Sequence, residues 1–141
     1  MKKKIKKTNR CKLACTLIQL YARLRDTDRN GNGFCRSCHK PLSWSDSPGG
    51  HFQAKTRGYN KACLNEHNVH LQDSRCNLYM SGNPAGYSQW MNENYSKDMI
   101  EQIRAESYQT MEPEYVEARI VELRAECKVL AATKNFVIRV P

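Results

Sequence analysis

The sequence predicts an α+β domain, a small metal-stapled core of hairpin and short helix with helices on either side. Three observations carry this expectation. Apolar residues recur at helical spacing toward both ends of the chain. The stretch from Phe34 to Lys61 is rich in Gly, Ser, Pro and aromatic residues and has no helical period. Two half-sites of identical spacing, Cys35-Arg-Ser-Cys38 and Asp73-Ser-Arg-Cys76, bracket the middle of the chain.

Residues 1–10 read as a basic flexible tail suited to touch phosphates, and 11–141 as a single domain. Within it, 11–29 is expected to be a helix, because Leu13, Leu17, Leu20, Tyr21 and Leu24 fall on one face. The run Asn30-Gly31-Asn32-Gly33 ends it. Residues 34–83 form the expected core: loops and a β-hairpin up to Lys61, then a loop entering a short helix that stops near Ser81-Gly82-Asn83-Pro84. Residues 86–133 form a helical C-terminal part with two stripes. One is Tyr87, Met91, Tyr95, Met99 and Ile103; the other, after Pro113, is Val116, Ile120, Leu123, Cys127 and Leu130. Both stripes read as core. The end, Asn135 to Pro141, is apolar and β-prone.

A chain of 141 residues with three Phe and two Trp has little material for a core, and a bound metal is a common staple at that size. The net charge of +9 suits a polyanionic partner, since each Lys or Arg that meets a phosphate releases a condensed counterion. No stretch approaches the roughly 18 apolar residues of a membrane span. A cytoplasmic location is expected, and there the seven cysteines read as thiols or metal ligands, not as disulfides.

Two cysteines separated by two residues can grip one zinc ion from a tight turn. Cys35 and Cys38 are the first pair and Cys76 the third ligand; Asp73 holds the matching fourth place, with Cys63, His39 and His67 as substitutes. Between the half-sites stand His51, Asn68 and His70, followed by Asn77. Hydrolysis of a phosphodiester needs a deprotonated water and relief of charge on the leaving oxygen. A neutral imidazole can take that proton near pH 7, provided its other nitrogen is held by a partner. His51 is the candidate base, Asn68 the candidate orienter, and Asn77 and His70 the residues on the side of a catalytic Mg²⁺ or Mn²⁺. This is the residue order of a ββα-metal nuclease.

At these residues the chain resembles the NinG/Rap recombination endonucleases of lambdoid phages, within the wider His-Asn-His nucleases. The matching stretches are Tyr21 to Asp26, Cys35-Arg-Ser-Cys38, Gly50-His51-Phe52, Asn65 to His70, Gln72, Cys76-Asn77 and Ser81-Gly82-Asn83. The resemblance implies a ββα-metal core with structural zinc and a catalytic Mg²⁺ or Mn²⁺. It also implies a phage or prophage source in a bacterial host, and cleavage of branched DNA such as Holliday junctions or D-loops. Two departures stand out. Asp73 replaces the first cysteine of a second pair, and Gly50 precedes the base where many such nucleases have a metal-binding Asp. Asp46, Glu66 or His70 are the replacements considered for that ligand.

Lys55, Arg57, Lys61 and Arg75 are the expected phosphate contacts, with Arg23 and Arg25 on the first helix. Trp44 and Tyr59 could stack on unpaired bases, although packing suits Trp44 better. Cutting both strands of a junction would favour a homodimer, but no interface is legible. Two other functions compete: a non-catalytic zinc module that binds nucleic acid, and a thiol redox protein using Cys35 and Cys38. The basic charge and the lack of a βαβ pattern weigh against the redox protein.

Overall fold

The computed structural model describes residues 7–54 and 58–141. Helix α1 (Lys7–Arg25) is followed by two separate two-stranded antiparallel sheets. The first pairs β1 (Asn32–Phe34) with β2 (Pro41–Ser43), with Gly33 opposite Leu42. The second pairs β3 (Gly49–His51) with β4 (Val69–Leu71), with Gly50 opposite His70 and His51 opposite Val69. Two 3₁₀ turns, Lys61–Leu64 and Glu66–Asn68, precede β4, and a single π-helical turn, Arg75–Tyr79, follows it. Helices α2 (Pro84–Asn94), α3 (Lys97–Glu106) and α4 (Pro113–Thr133) complete the chain. The protein is thus α+β, as its sequence predicts. Among the described residues no helix is long and apolar enough to cross a membrane.

The main core lies between α1 and α4. Ala14, Leu17 and Ile18 of α1 meet Val116, Ile120 and Leu123 of α4, and Leu64 and Val69 close one side. A second core, built by Ala62, Tyr87, Met91, Ile100 and Ile103, seats α2 and α3 beside the β3–β4 pair.

Three elements differ from the sequence reading. The stripe from Tyr87 to Ile103 is split over two helices. Tyr95 is extended at the end of α2, and the Ser96 side chain accepts from the Met99 amide at 3.2 Å to start α3. Strand β4 stands where the sequence predicts a loop; three residues are too few to show alternation, and all three are buried. The β-prone end forms no strand. It lies as an extended strap, with Phe136 stacked on Trp44 at 5.1 Å and Arg124 donating to the Pro141 carbonyl at 2.8 Å.

The end of α1 is tied to β4 through charge. Arg25 pairs with Asp26 at 2.8 Å and donates to the carbonyls of Glu66 and Val69 at 2.8 and 2.6 Å. Asp26 also accepts the Leu71 amide at 2.9 Å. Burial pushes the Asp26 carboxyl up, but the Arg25 hydrogen bond and charge outweigh it and hold the group below its ordinary value. Asp26→Asn leaves Arg25 buried beside a neutral partner, so we expect a loss of about 3 kcal/mol in urea unfolding. A loss under about 1 kcal/mol would show that the Arg25–Asp26 pair does not hold α1 to β4.

Candidate metal centre and active site

The first sheet exists to carry a cysteine knuckle. Cys35 follows β1 directly, its amide donates to the Lys40 carbonyl at 2.8 Å, and the His39 amide donates back to the Cys35 carbonyl at 2.8 Å. Closing so short a loop places His39 at φ +64°, a left-handed conformation. The Sγ atoms of Cys35, Cys38 and Cys76 lie within 4.8 Å of one another. Burial raises the Cys35 thiol pKa, but backbone amides of Asp73, Cys38 and Ser37 point at its sulfur and bring it below the ordinary thiol value. Burial and the neighbouring thiols push Cys76 up to about 11. A dication among the three sulfurs relieves that conflict, because it stabilises every thiolate at once. This group could hold a metal such as zinc.

The expected fourth ligand, Asp73, does not join the three sulfurs within 4.8 Å. Asp73 gives its backbone amide to Cys35, while its carboxylate stands outside the three-sulfur cluster. It lines a cavity of about 390 Å³ together with Cys38 and Cys76, two of the three clustered cysteines, and with Lys40, Arg75 and Asn83. The substitutes lie elsewhere. His39 stacks on Phe34, His67 packs edge-on to Tyr95, and Cys63 belongs to a different cluster. Among the described residues the cluster thus consists of three protein sulfurs.

His51 ends β3 and is half-buried. Its Nε2 lies 3.0 Å from the Cys63 carbonyl oxygen. A carbonyl only accepts, so Nε2 carries the proton and the lone pair of the neutral ring is on Nδ1. Asn68 is buried but does not hold this ring. Its Oδ1 accepts the Gln53 amide at 2.7 Å, and its Nδ2 donates to the carbonyls of Gln53 and Ala62 at 3.2 and 2.9 Å. It thereby fixes the chain two residues beyond His51 and ties it to the 3₁₀ turn. The orienter expected from Asn68 is the Cys63 carbonyl instead.

His70 also differs from expectation. Nδ1 lies 2.9 Å from the Tyr87 hydroxyl and Nε2 lies 2.9 Å from that of Tyr95. Tyr87 spends its proton on the Gly50 carbonyl at 2.8 Å, so it must accept from Nδ1–H, and Nε2 accepts from Tyr95. Both ring nitrogens are engaged, and neither is open to a metal. His70 instead positions Gly50, the residue before His51.

The other ligands considered for a catalytic cation are not assembled. Asp46 is exposed on the turn after β2, and Glu66 accepts from the Tyr21 hydroxyl at 3.2 Å. Neither joins His51 in a cluster of potential ligands among the described residues. Asn77 is half-exposed on the π-helical turn. Gly50 stands where many such nucleases have an Asp; a Cβ there would lie 1.9 Å from Gln72 Oε1, so any side chain at 50 requires Gln72 to move.

Of the expected phosphate contacts, Lys55 and Arg57 lie outside the described residues. Lys61 sits over the Tyr115 ring at 5.4 Å, and Arg75 is exposed beside the cysteine cavity. Arg23 and Arg25 are structural: Arg23 donates to the Trp44 carbonyl at 2.8 Å, and Arg25 forms the tie to β4. Tyr59 packs against the main core and Trp44 against the C-terminal strap, so both aromatic rings serve packing.

A group of Cys15, His51 and Cys63, whose ligand atoms also lie within 4.8 Å, was not visible as a unit in the sequence. Its only signal was a second cysteine one helical turn after Cys11 on the apolar face of α1.

The family model described as Bacteriophage Lambda NinG protein matches residues 1–134. No curated protein and no solved structure matches the chain.

Two outcomes follow from this geometry. Cys35→Ser should lose bound zinc and several degrees of melting temperature, since metal binding and folding are coupled. Equal zinc content and an unchanged melt would refute that role. Burial, then Arg25, pushes His70 down to about 3 from 6.5, while Asp26 opposes and Arg36 and His67 add to the shift. An unfolded chain takes up that proton near pH 6.5, so the stability it supplies is complete above 6.5 and drains as pH falls toward 3. The urea midpoint should therefore drop more steeply between pH 6.5 and about 4.5 in the wild type than in His70→Gln. Parallel profiles would show that His70 does not cause the drop.

Proposed function

The chain belongs to the NinG family, and from that premise and the geometry we propose that it is a metal-dependent DNA endonuclease of phage recombination. The observation that carries the reading is the setting of His51: a histidine at the end of one strand of an antiparallel pair, held through Nε2 by a backbone carbonyl so that Nδ1 offers a lone pair. That is what a general base for a phosphodiester-attacking water requires. Asn68 and His70 support it from β4 and just before it, one fixing Gln53 and the other Gly50, on either side of the base. The β3–β4 pair followed by a helical turn gives the order of a ββα-metal site, which we assign here on that basis.

A hard cation, Mg²⁺ or Mn²⁺, belongs to the proposal on chemical grounds, since it relieves charge on the phosphate and the leaving 3′-oxygen. Asp46, Glu66 and His70 do not fit it, and Asn77 is the remaining protein candidate to hold it. Zinc at Cys35, Cys38 and Cys76 is assigned a structural role. Branched DNA is the proposed substrate. Leu78 and Tyr79 are highly exposed on the π-helical turn that also carries Arg75, an arrangement suited to stacking on unpaired bases beside a phosphate.

The dispersed oxygen ligands favour one other reading, a zinc-containing module that binds nucleic acid without cutting it. Cleavage of labelled four-way junction, D-loop and linear duplex in Mg²⁺ or Mn²⁺, with an EDTA control, separates the two. We expect branched DNA to be cut, and His51→Ala to lose cleavage by roughly a hundredfold or more while keeping its fold and DNA binding. Retained activity in His51→Ala would remove the base assignment. Equal cutting of all three substrates would remove branch selectivity. Tight binding with no cutting would establish the non-catalytic module.

A further inference from the structure

We propose that Cys15, His51 and Cys63 form a second metal site, selective for a thiophilic ion such as zinc, whose occupation shuts off the proposed base. The inference rests on the nuclease reading for its consequence, but not for the site itself. Three elements bring the ligands together: α1 carries Cys15, β3 ends at His51, and the first 3₁₀ turn carries Cys63. Their ligand atoms lie within 4.8 Å of one another. A tetrahedral zinc site with bonds of about 2.0–2.3 Å sets its ligand atoms roughly 3.3–3.8 Å apart, so closure needs a movement of at most about 1–1.5 Å.

Buried cysteines are usually small apolar core residues. These two differ because the third member of their cluster is an imidazole that reaches the surface. Cys15 and Cys63 are 4% and 0% exposed, while His51 is half-buried and provides the way in for an ion. Two sulfurs and one nitrogen select zinc over Mg²⁺, which prefers oxygen ligands. Binding sends two thiol protons to solvent and replaces the weak contact of Cys63 Sγ with Asn60 Oδ1 at 3.6 Å.

The effect on His51 does not depend on which nitrogen the ion takes. An ion on Nδ1 occupies the lone pair that would accept the proton of water. An ion on Nε2 displaces the proton now shared with the Cys63 carbonyl, and the neutral ring must then carry it on Nδ1. In either case the imidazole has no lone pair left to take the proton of water. Zinc thus has two opposite roles in one small domain: a staple at Cys35, Cys38 and Cys76, and a brake at Cys15, His51 and Cys63.

The test uses the full chain, stripped of metal under reductant and dialysed against micromolar zinc, with bound metal measured by mass spectrometry. Wild type should bind two equivalents, and Cys15→Ser and Cys63→Ser one each. Cobalt in place of zinc should give a thiolate charge-transfer band that weakens in both variants. If a variant fails to fold, the wild type still decides, because the second equivalent should shift the His51 ring-proton resonances and the first should not. One equivalent in wild type, or two retained in a folded Cys15→Ser, overturns the site. In saturating Mg²⁺, zinc should slow wild-type cleavage on the order of tenfold or more and spare Cys15→Ser. Equal inhibition of both overturns the brake. A wild type that binds two equivalents but never cuts upholds the site and fails the nuclease reading alone.

Discussion

Asp26 is the hinge on which the two halves of the molecule are registered. Its carboxylate is held by Arg25 on one side and accepts the Leu71 amide on the other. The Leu71 carbonyl in turn accepts from the amide of Arg36, inside the cysteine knuckle, at 3.1 Å. One β4 residue therefore connects the end of α1, the knuckle and, through its pairing with Gly49, the strand that ends at His51. A buried carboxylate is costly without compensation. Here two charge-assisted contacts and a backbone donor meet it, which makes the arrangement specific as well as stable. Lys134, whose ammonium reaches the carbonyls of Leu24 and Thr27, closes the same helix end from α4.

From that registration the candidate base follows by short steps. Strand β4 delivers His70 under Gly50, and the Tyr95–His70–Tyr87–Gly50 chain fixes the backbone just before His51. Asn68 fixes the backbone just after it. The ring itself is bonded to the Cys63 carbonyl. The polar residues of this region are thus arranged around the main chain of a short strand more than around a ligand. A strand of three residues has little pairing of its own to hold it straight.

What could be read from the sequence was what depends on local pattern. Cys35-Arg-Ser-Cys38 announces a knuckle because the spacing alone determines the bite, and the apolar periods of α1 and α4 announce helices. Residues whose roles depend on a distant partner were misread. Arg25 reads as a phosphate contact in sequence, whereas its guanidinium is taken by the carbonyls of Glu66 and Val69, more than 40 residues away. His70 looked like a ligand because nothing in its neighbourhood in sequence foretells two tyrosines from α2 and its end. Asp73 occupies a cysteine's place in the spacing, and spacing cannot show that its backbone amide is bonded to the Cys35 sulfur.

Gly50 carries the same lesson further. In sequence the missing side chain before the base suggested a missing ligand. In three dimensions the room is taken: Gln72 fills it, with its amide nitrogen bonded to Ser37 and the Gly82 carbonyl at 2.8 and 2.6 Å. Gln72 thereby joins β4 to the knuckle and to the turn that starts α2. A carboxylate at position 50 would have to expel that side chain and strand the groups it satisfies. Glycine at 50 is therefore the complement of glutamine at 72. Through Gln72 the base strand and the cysteine knuckle share one side chain, packed against Gly50 and bonded to Ser37.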